Sequence, residues 1–166
     1  MVNSSIRGGL AATFAVAAAL LIFIAAGTTY WTEYESSSVK FHGGLFETCS
    51  EFGSSKTCTD TKDLVSGDDE DKLETCQSFI IIGGIIAGVA MLGTFFVVFK
   101  DAAKSKFVAL LWIAAMACVV VVLSIYDDTF KRDNTDYGYS FILACISVFV
   151  CLVMALVTGS SMLTSF

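Results

Sequence analysis

Four stretches of this chain, at about 8–30, 79–99, 107–125 and 139–159, contain no Asp, Glu, Lys or Arg. A helix rises about 1.5 Å per residue, so roughly 20 apolar residues cross the ~30 Å hydrocarbon core of a bilayer. Each stretch is close to that length. In lipid every backbone N–H and C=O must find a partner inside the protein, which leaves helices or closed barrels. Runs of this length read as helices. Composition agrees: 55% of residues are apolar and 16% charged, against about 25% charged in soluble domains. The chain of 166 residues has no proline, so nothing forces a kink. The expectation is an all-α membrane protein: one domain over 1–166, with four spans and two outer loops at about 31–78 and 126–138.

The first apolar run follows Arg7 and ends in small residues, as a secretory signal does. It is longer than the 7–15 apolar residues of such a core, so a retained helix is expected. Orientation comes from basic residues near the spans. "KDAAKSK" at 100–106 is short and carries three lysines, which marks it as cytoplasmic. Both termini are then cytoplasmic, and the long first loop faces outward, in the plasma membrane. Cys49, Cys58 and Cys76 lie in that loop, where disulfides persist. Cys118, Cys145 and Cys151 lie within spans and read as small apolar packing.

The first loop is too long for a plain connector. "SVKFH" alternates polar and apolar side chains, as a half-buried strand does. Gly43 and Gly44 suit a turn, and "LFETC" resumes the strand-like pattern. A short sheet stapled by Cys49–Cys58 is the economical arrangement, with Trp31 as an anchor at the membrane interface. Cys76 is a third thiol, so connectivity stays open.

Trp31 just after the first span, then Gly44-Leu45-Phe46, Cys49 and Cys58 in order, together with the topology, resemble the claudin superfamily. That group includes claudins, peripheral myelin and epithelial membrane proteins, and stargazin-like gamma subunits of channels. Phe46 stands where the family usually has Trp, and no Arg precedes the second span. The resemblance implies a left-handed four-helix bundle carrying a small, disulfide-clipped extracellular sheet of four or five strands. It also implies action by protein contact rather than catalysis.

The residues point the same way. The sequence offers no nucleophile–base pair, metal-ligand cluster or phosphate loop, so an enzyme, a bound metal and a cofactor are not expected. His42 is the one histidine and reads as an exposed loop residue. The first outer loop has eleven acids against four lysines, net −7, and the second four acids against two basics, net −2. Among these acids Glu47, Glu51, Asp60, Asp63, Asp68, Asp69, Glu70, Asp71 and Glu74 form a candidate acidic outer surface. Such a surface concentrates cations over about 8–10 Å; the plainer alternative is a solvated loop that resists sticking. "SGDDEDKLE" at 66–74 lacks the alternate-ligand spacing of a calcium loop.

Within the second span Gly84 and Gly88 make a small-xxx-small pair, joined by Gly83 and Gly93, suited to close helix packing. Thr164-Ser165-Phe166 has the pattern of a PDZ ligand that binds by strand addition. The implied partners are lipid and another membrane protein, with no nucleic acid. Two functions stand open. One is a junctional, paracellular structural component; the other is an auxiliary subunit docked on an ion channel or receptor.

Overall fold

The computed structural model describes residues 4–36, 39–99, 105–131 and 135–160. Four helices there are long and apolar enough to cross a membrane: α1 (Ser4–Gly27), α2 (Asp68–Phe99), α3 (Ser105–Phe130) and α4 (Tyr139–Ser160). They close a ring in which α1 packs on α2 and α4, and α3 packs on the same two. The proposed PDZ ligand at Thr164–Phe166 and most of the "KDAAKSK" segment lie outside the described residues.

Side-chain size decides which faces turn inward. On α1, Ala15, Ala18, Ala19, Ile22 and Ala25 are buried at helical spacing, while Leu10, Phe14, Leu20 and Phe23 face out. The same sorting puts Phe96, Phe107, Phe149 and Leu156 on the outside. Lipid is as apolar as leucine, so large side chains gain nothing by burial there, and small ones let helices close up. Glycine does this on α2, but not by the 84/88 pair alone. A Cβ on Gly83 would lie 3.0 Å from Cys118 Cβ, on Gly84 3.1 Å from Phe23, and on Gly93 2.8 Å from Val108. A Cβ on Gly88 would meet nothing within 4 Å. The bundle is therefore pressed against Gly83, Gly84 and Gly93, and Gly88 is open. Trp112 donates from Nε1 to Thr94 Oγ1 at 3.2 Å, and Thr94 passes a bond to Ala90 O at 2.8 Å.

The sequence places the second span at 79, but α2 begins eleven residues earlier, at Asp68. The cause is in the segment that reads as a loop. Asp68, Asp69, Glu70 and Asp71 fill the first turn of α2, where negative charge stabilises the positive end of the helix dipole. Gly67, at φ 66°, supplies the bend before it. Leu73 and Cys76, one and two turns on, are fully buried. The outer loop is therefore partly a helical extension rising above the membrane. In the same way α3 continues past 125 to Phe130.

Above the bundle sits one sheet of five strands. These are β1 (Thr32–Ser36), β2 (Val39–Gly43), β3 (Glu47–Phe52), β4 (Ser55–Asp60) and β5 (Asp136–Tyr137), in the order β4-β3-β2-β1-β5. Its strands pair antiparallel. The fifth strand comes from the second outer loop, so both loops build one surface. β3 and β4 are joined by two residues, since Phe52 pairs with Ser55. The first of them, Gly53, has φ 60°, as a type II′ hairpin turn asks.

Candidate functional site

Among the described residues, the five-stranded sheet combines regular structure with exposed polar side chains. Its rigidity starts at Trp31. The indole is fully buried rather than lying at the lipid interface as the sequence suggests. Its Nε1–H donates to Ala25 O at 2.7 Å, one of the last carbonyls of α1 that no helical N–H reaches. Its ring lies 4.9 Å from Tyr126 and 6.0 Å from Phe141, centroid to centroid. Trp31 N–H donates to Gly43 O at 2.9 Å. One residue thus caps α1, fills the top of the bundle and ties down β2.

Gly44-Leu45-Phe46 is the second fastening. Leu45 is fully buried in the core and Phe46 packs against it. Gln77 on α2 donates to Leu45 O at 2.8 Å. Thr61 Oγ1 donates to Gly44 O at 3.0 Å and meets Thr48 Oγ1 at 3.0 Å. Gly44 has to be glycine on spatial grounds: a Cβ would come within 2.7 Å of Glu47 O and Thr29 Cα. The motif is a plug set into the bundle's outer end.

The third fastening is the disulfide Cys49–Cys58. The two residues face each other across β3 and β4, and closing a loop of this size stabilises by roughly 2–3 kcal/mol. Cys76 takes no part. It is buried with its Sγ 3.9 Å from Val122 O. Cys151 is also buried, Cys118 partly so, and Cys145 faces outward.

The acids do not converge on one point. Glu47 and Asp60 sit directly opposite on β3 and β4, a like-charge pair that costs stability. Asp60 Oδ1 also accepts from Lys62 N at 2.9 Å and caps the short 3-10 turn Thr61–Leu64. Glu51 is 3.5 Å from Lys56, and Lys40 is 2.8 Å from Glu35. Lys62 bridges Glu74 and Glu70, the latter at 3.7 Å. The hydrogen bond and charge of Glu74, with Glu70 beside it, raise the Lys62 pKa above its ordinary value. Asp63, Asp68, Asp69 and Asp71 make no ion pair with a described residue. Among the described residues no group of three or more His, Cys, Asp or Glu is placed to hold a metal ion.

His42 lies on β2, half-buried, with its ring 4.3 Å from Tyr30. It is not the exposed loop residue that the sequence suggests. Several other fastenings gave no motif. Thr28 and Ser140 hydroxyls meet at 2.6 Å, and Thr32 Oγ1 meets Tyr126 OH at 3.3 Å. The signal for them is a hydroxyl at the outer end of each apolar run.

A sequence model described as "PMP-22/EMP/MP20/Claudin family" matches residues 8–159. Epithelial membrane protein 1 of Homo sapiens is 28% identical over 149 residues, covering 87% of this chain and 87% of that protein. Epithelial membrane protein 1 of Oryctolagus cuniculus is 26% identical over 160 residues, covering 90% and 92%. The spans, the fastened outer sheet and these matches together place the chain in the PMP-22/EMP/MP20/Claudin family of multi-pass membrane proteins.

Proposed function

We propose that this protein works at the plasma membrane as a non-catalytic contact protein, with both termini cytoplasmic and the sheet presented outward at cell junctions. The observation that carries this reading is the combination of a fastened sheet and an open edge. All six residues of β4 are exposed, and β4 ends the strand order. Beside it, at the hairpin tip, Phe52 is 67% exposed. A rigid surface with an exposed aromatic and a free strand edge suits a protein partner, because little ordering entropy is lost on binding. The net charge of −9 over the two outer loops favours cations beside such a contact.

The test is purification of the tagged protein from epithelial cells in mild detergent, after cross-linking at the cell surface. The expected result is homo-oligomers enriched at cell contacts. Stoichiometric recovery of an ion channel or receptor subunit, with no homo-oligomer, would replace this reading with the auxiliary-subunit one. In transepithelial recordings, reversing Glu47, Glu51 and Asp60 to Lys is expected to lower cation preference.

A further inference from the structure

Beneath the sheet lies a cavity of about 820 Å³, within the 300–1,000 Å³ range of small-molecule sites. One wall is a single face of the sheet: Tyr34 and Phe41 are paired across β1 and β2 and both line it. The other wall is Leu73 of α2 with Tyr126 and Phe130 of α3. Two charged residues line it, of opposite sign: Asp69 and Lys131. Neither forms an ion pair with a described residue. Lys131 instead sits 3.8 Å above the Tyr137 ring.

One hydroxyl in the lining is unanswered. Thr13, Thr75, Thr94 and Thr158 each donate to the carbonyl four residues back. Thr129, in the last turn of α3, does not: its Oγ1 is enclosed and has no hydrogen-bond partner. An enclosed polar atom without a partner is costly. It lines the same cavity as Lys131.

Depth narrows the occupant. The apolar run on α3 ends at Ile125, and Lys131 is six residues beyond, about 9 Å along a helix axis. Leu73 lies six residues before Phe79, where the apolar run of α2 begins. The polar layer on each side of a bilayer core is roughly 5–8 Å thick. Tyr126, Thr129 and Phe130, one to five residues past Ile125, are therefore level with lipid headgroups, and Leu73 and Lys131 lie just above that layer. The −9 outer surface repels an anionic ligand, whereas a zwitterion matches one carboxylate, one ammonium and a set of aromatic walls.

We propose that this cavity holds the zwitterionic headgroup of an outer-leaflet phospholipid. The ligand's quaternary ammonium faces Asp69 and the rings of Tyr34, Phe41 and Phe130, as cation–π recognition requires. Its phosphate faces Lys131 Nζ, and Thr129, whose Oγ1 is enclosed in the ligand-free protein, turns its hydroxyl toward the phosphate on binding. This site is separate from the β4 edge and does not depend on which protein partner the edge takes.

The experiment is native mass spectrometry of the full-length protein in a maltoside detergent, titrated with monomeric dihexanoyl-phosphocholine. Dihexanoyl-phosphoglycerol and free phosphocholine serve as competing probes. One phosphocholine lipid per chain is expected to bind saturably, in preference to the anionic lipid. Asp69→Asn and Lys131→Met, both at exposed positions, are each expected to weaken it about tenfold, the scale of one charge-assisted hydrogen bond. Thr129→Val, close in shape, is expected to weaken it as well while the ligand-free melting point stays put. Equal binding of both lipids, or wild-type affinity in all three variants, would overturn the proposal. Free phosphocholine binding as tightly as the lipid would assign the cavity to a soluble zwitterion instead. A co-purifying polypeptide that must leave before lipid binds would assign it to a protein.

Discussion

Trp31 shows how one side chain couples the two halves of the molecule. Its N–H answers a helix-end carbonyl, and its ring is the floor on which the sheet rests. Trp31→Phe keeps most of the ring but leaves Ala25 O with only the long 3.5 Å bond from Thr28 Oγ1. The expected cost is about 1–3 kcal/mol, read as a lowered melting point in detergent with the spans still helical. Trp31→Ala is expected to cost more, about 3–5 kcal/mol. Lys62 acts at the same scale on the surface. Its pKa is raised in the folded protein by Glu74 and Glu70, so its contribution is fully present below its ordinary 10.5 and is lost as pH rises through the higher folded value. In Lys62→Met that alkaline decline is expected to flatten, measured as melting point against pH from 8 to about 12.

At the scale of elements, the helices are held by absence of side chain. Gly93→Ala puts a methyl within 2.8 Å of Val108 and Gly83→Ala within 3.0 Å of Cys118 Cβ. Each is expected to destabilise by about 1–3 kcal/mol. Gly88→Ala meets nothing and is expected to be neutral or slightly stabilising, since alanine favours a helix by about 1 kcal/mol over glycine. Unfolding of the three variants in a denaturing detergent series separates these cases. The spacing of Gly83, Gly84, Gly88 and Gly93 announces close packing but does not say which face has a neighbour, so the sequence does not separate Gly88, which meets nothing within 4 Å, from the other three. The spans themselves were legible because twenty uncharged residues in a row have few other uses. The start of α2 was not, because "GDDED" looks like a loop until its place at a helix N-terminus gives the charges a role. β4 was also hidden: all six residues of "SKTCTD" are exposed, so no alternation marks the strand. Only Cys58, set opposite Cys49, betrays its register.

The whole molecule is a small-residue bundle with a rigid outer platform. Trp31, Leu45 and the Cys49–Cys58 bond each fasten that platform at a different point, so the fold can keep its spans while losing its outer shape. Trp31 was legible as important but not as buried, since tryptophan suits a lipid interface and a packed core equally. The acidic residues were legible as a total, but not in arrangement, because pairing such as Lys62 with Glu70 and Glu74 follows from where α2 begins. Replacing Cys49 and Cys58 together by Ser is expected to cost roughly 2–3 kcal/mol, and to loosen the sheet while the bundle still inserts. Limited proteolysis of intact cells reads this as new cleavage between residues 47 and 60.

The role proposed for the β4 edge and the Phe52 tip is contact with another protein. The most direct measurement is surface cross-linking of cells expressing Phe52→Asp together with Thr57→Lys, compared with wild type. Both positions are exposed, so folding and surface delivery should hold, checked by the retained disulfide. Homo-oligomers and enrichment at cell contacts are expected to fall several-fold. Undiminished oligomers and contact enrichment at equal surface level would contradict it.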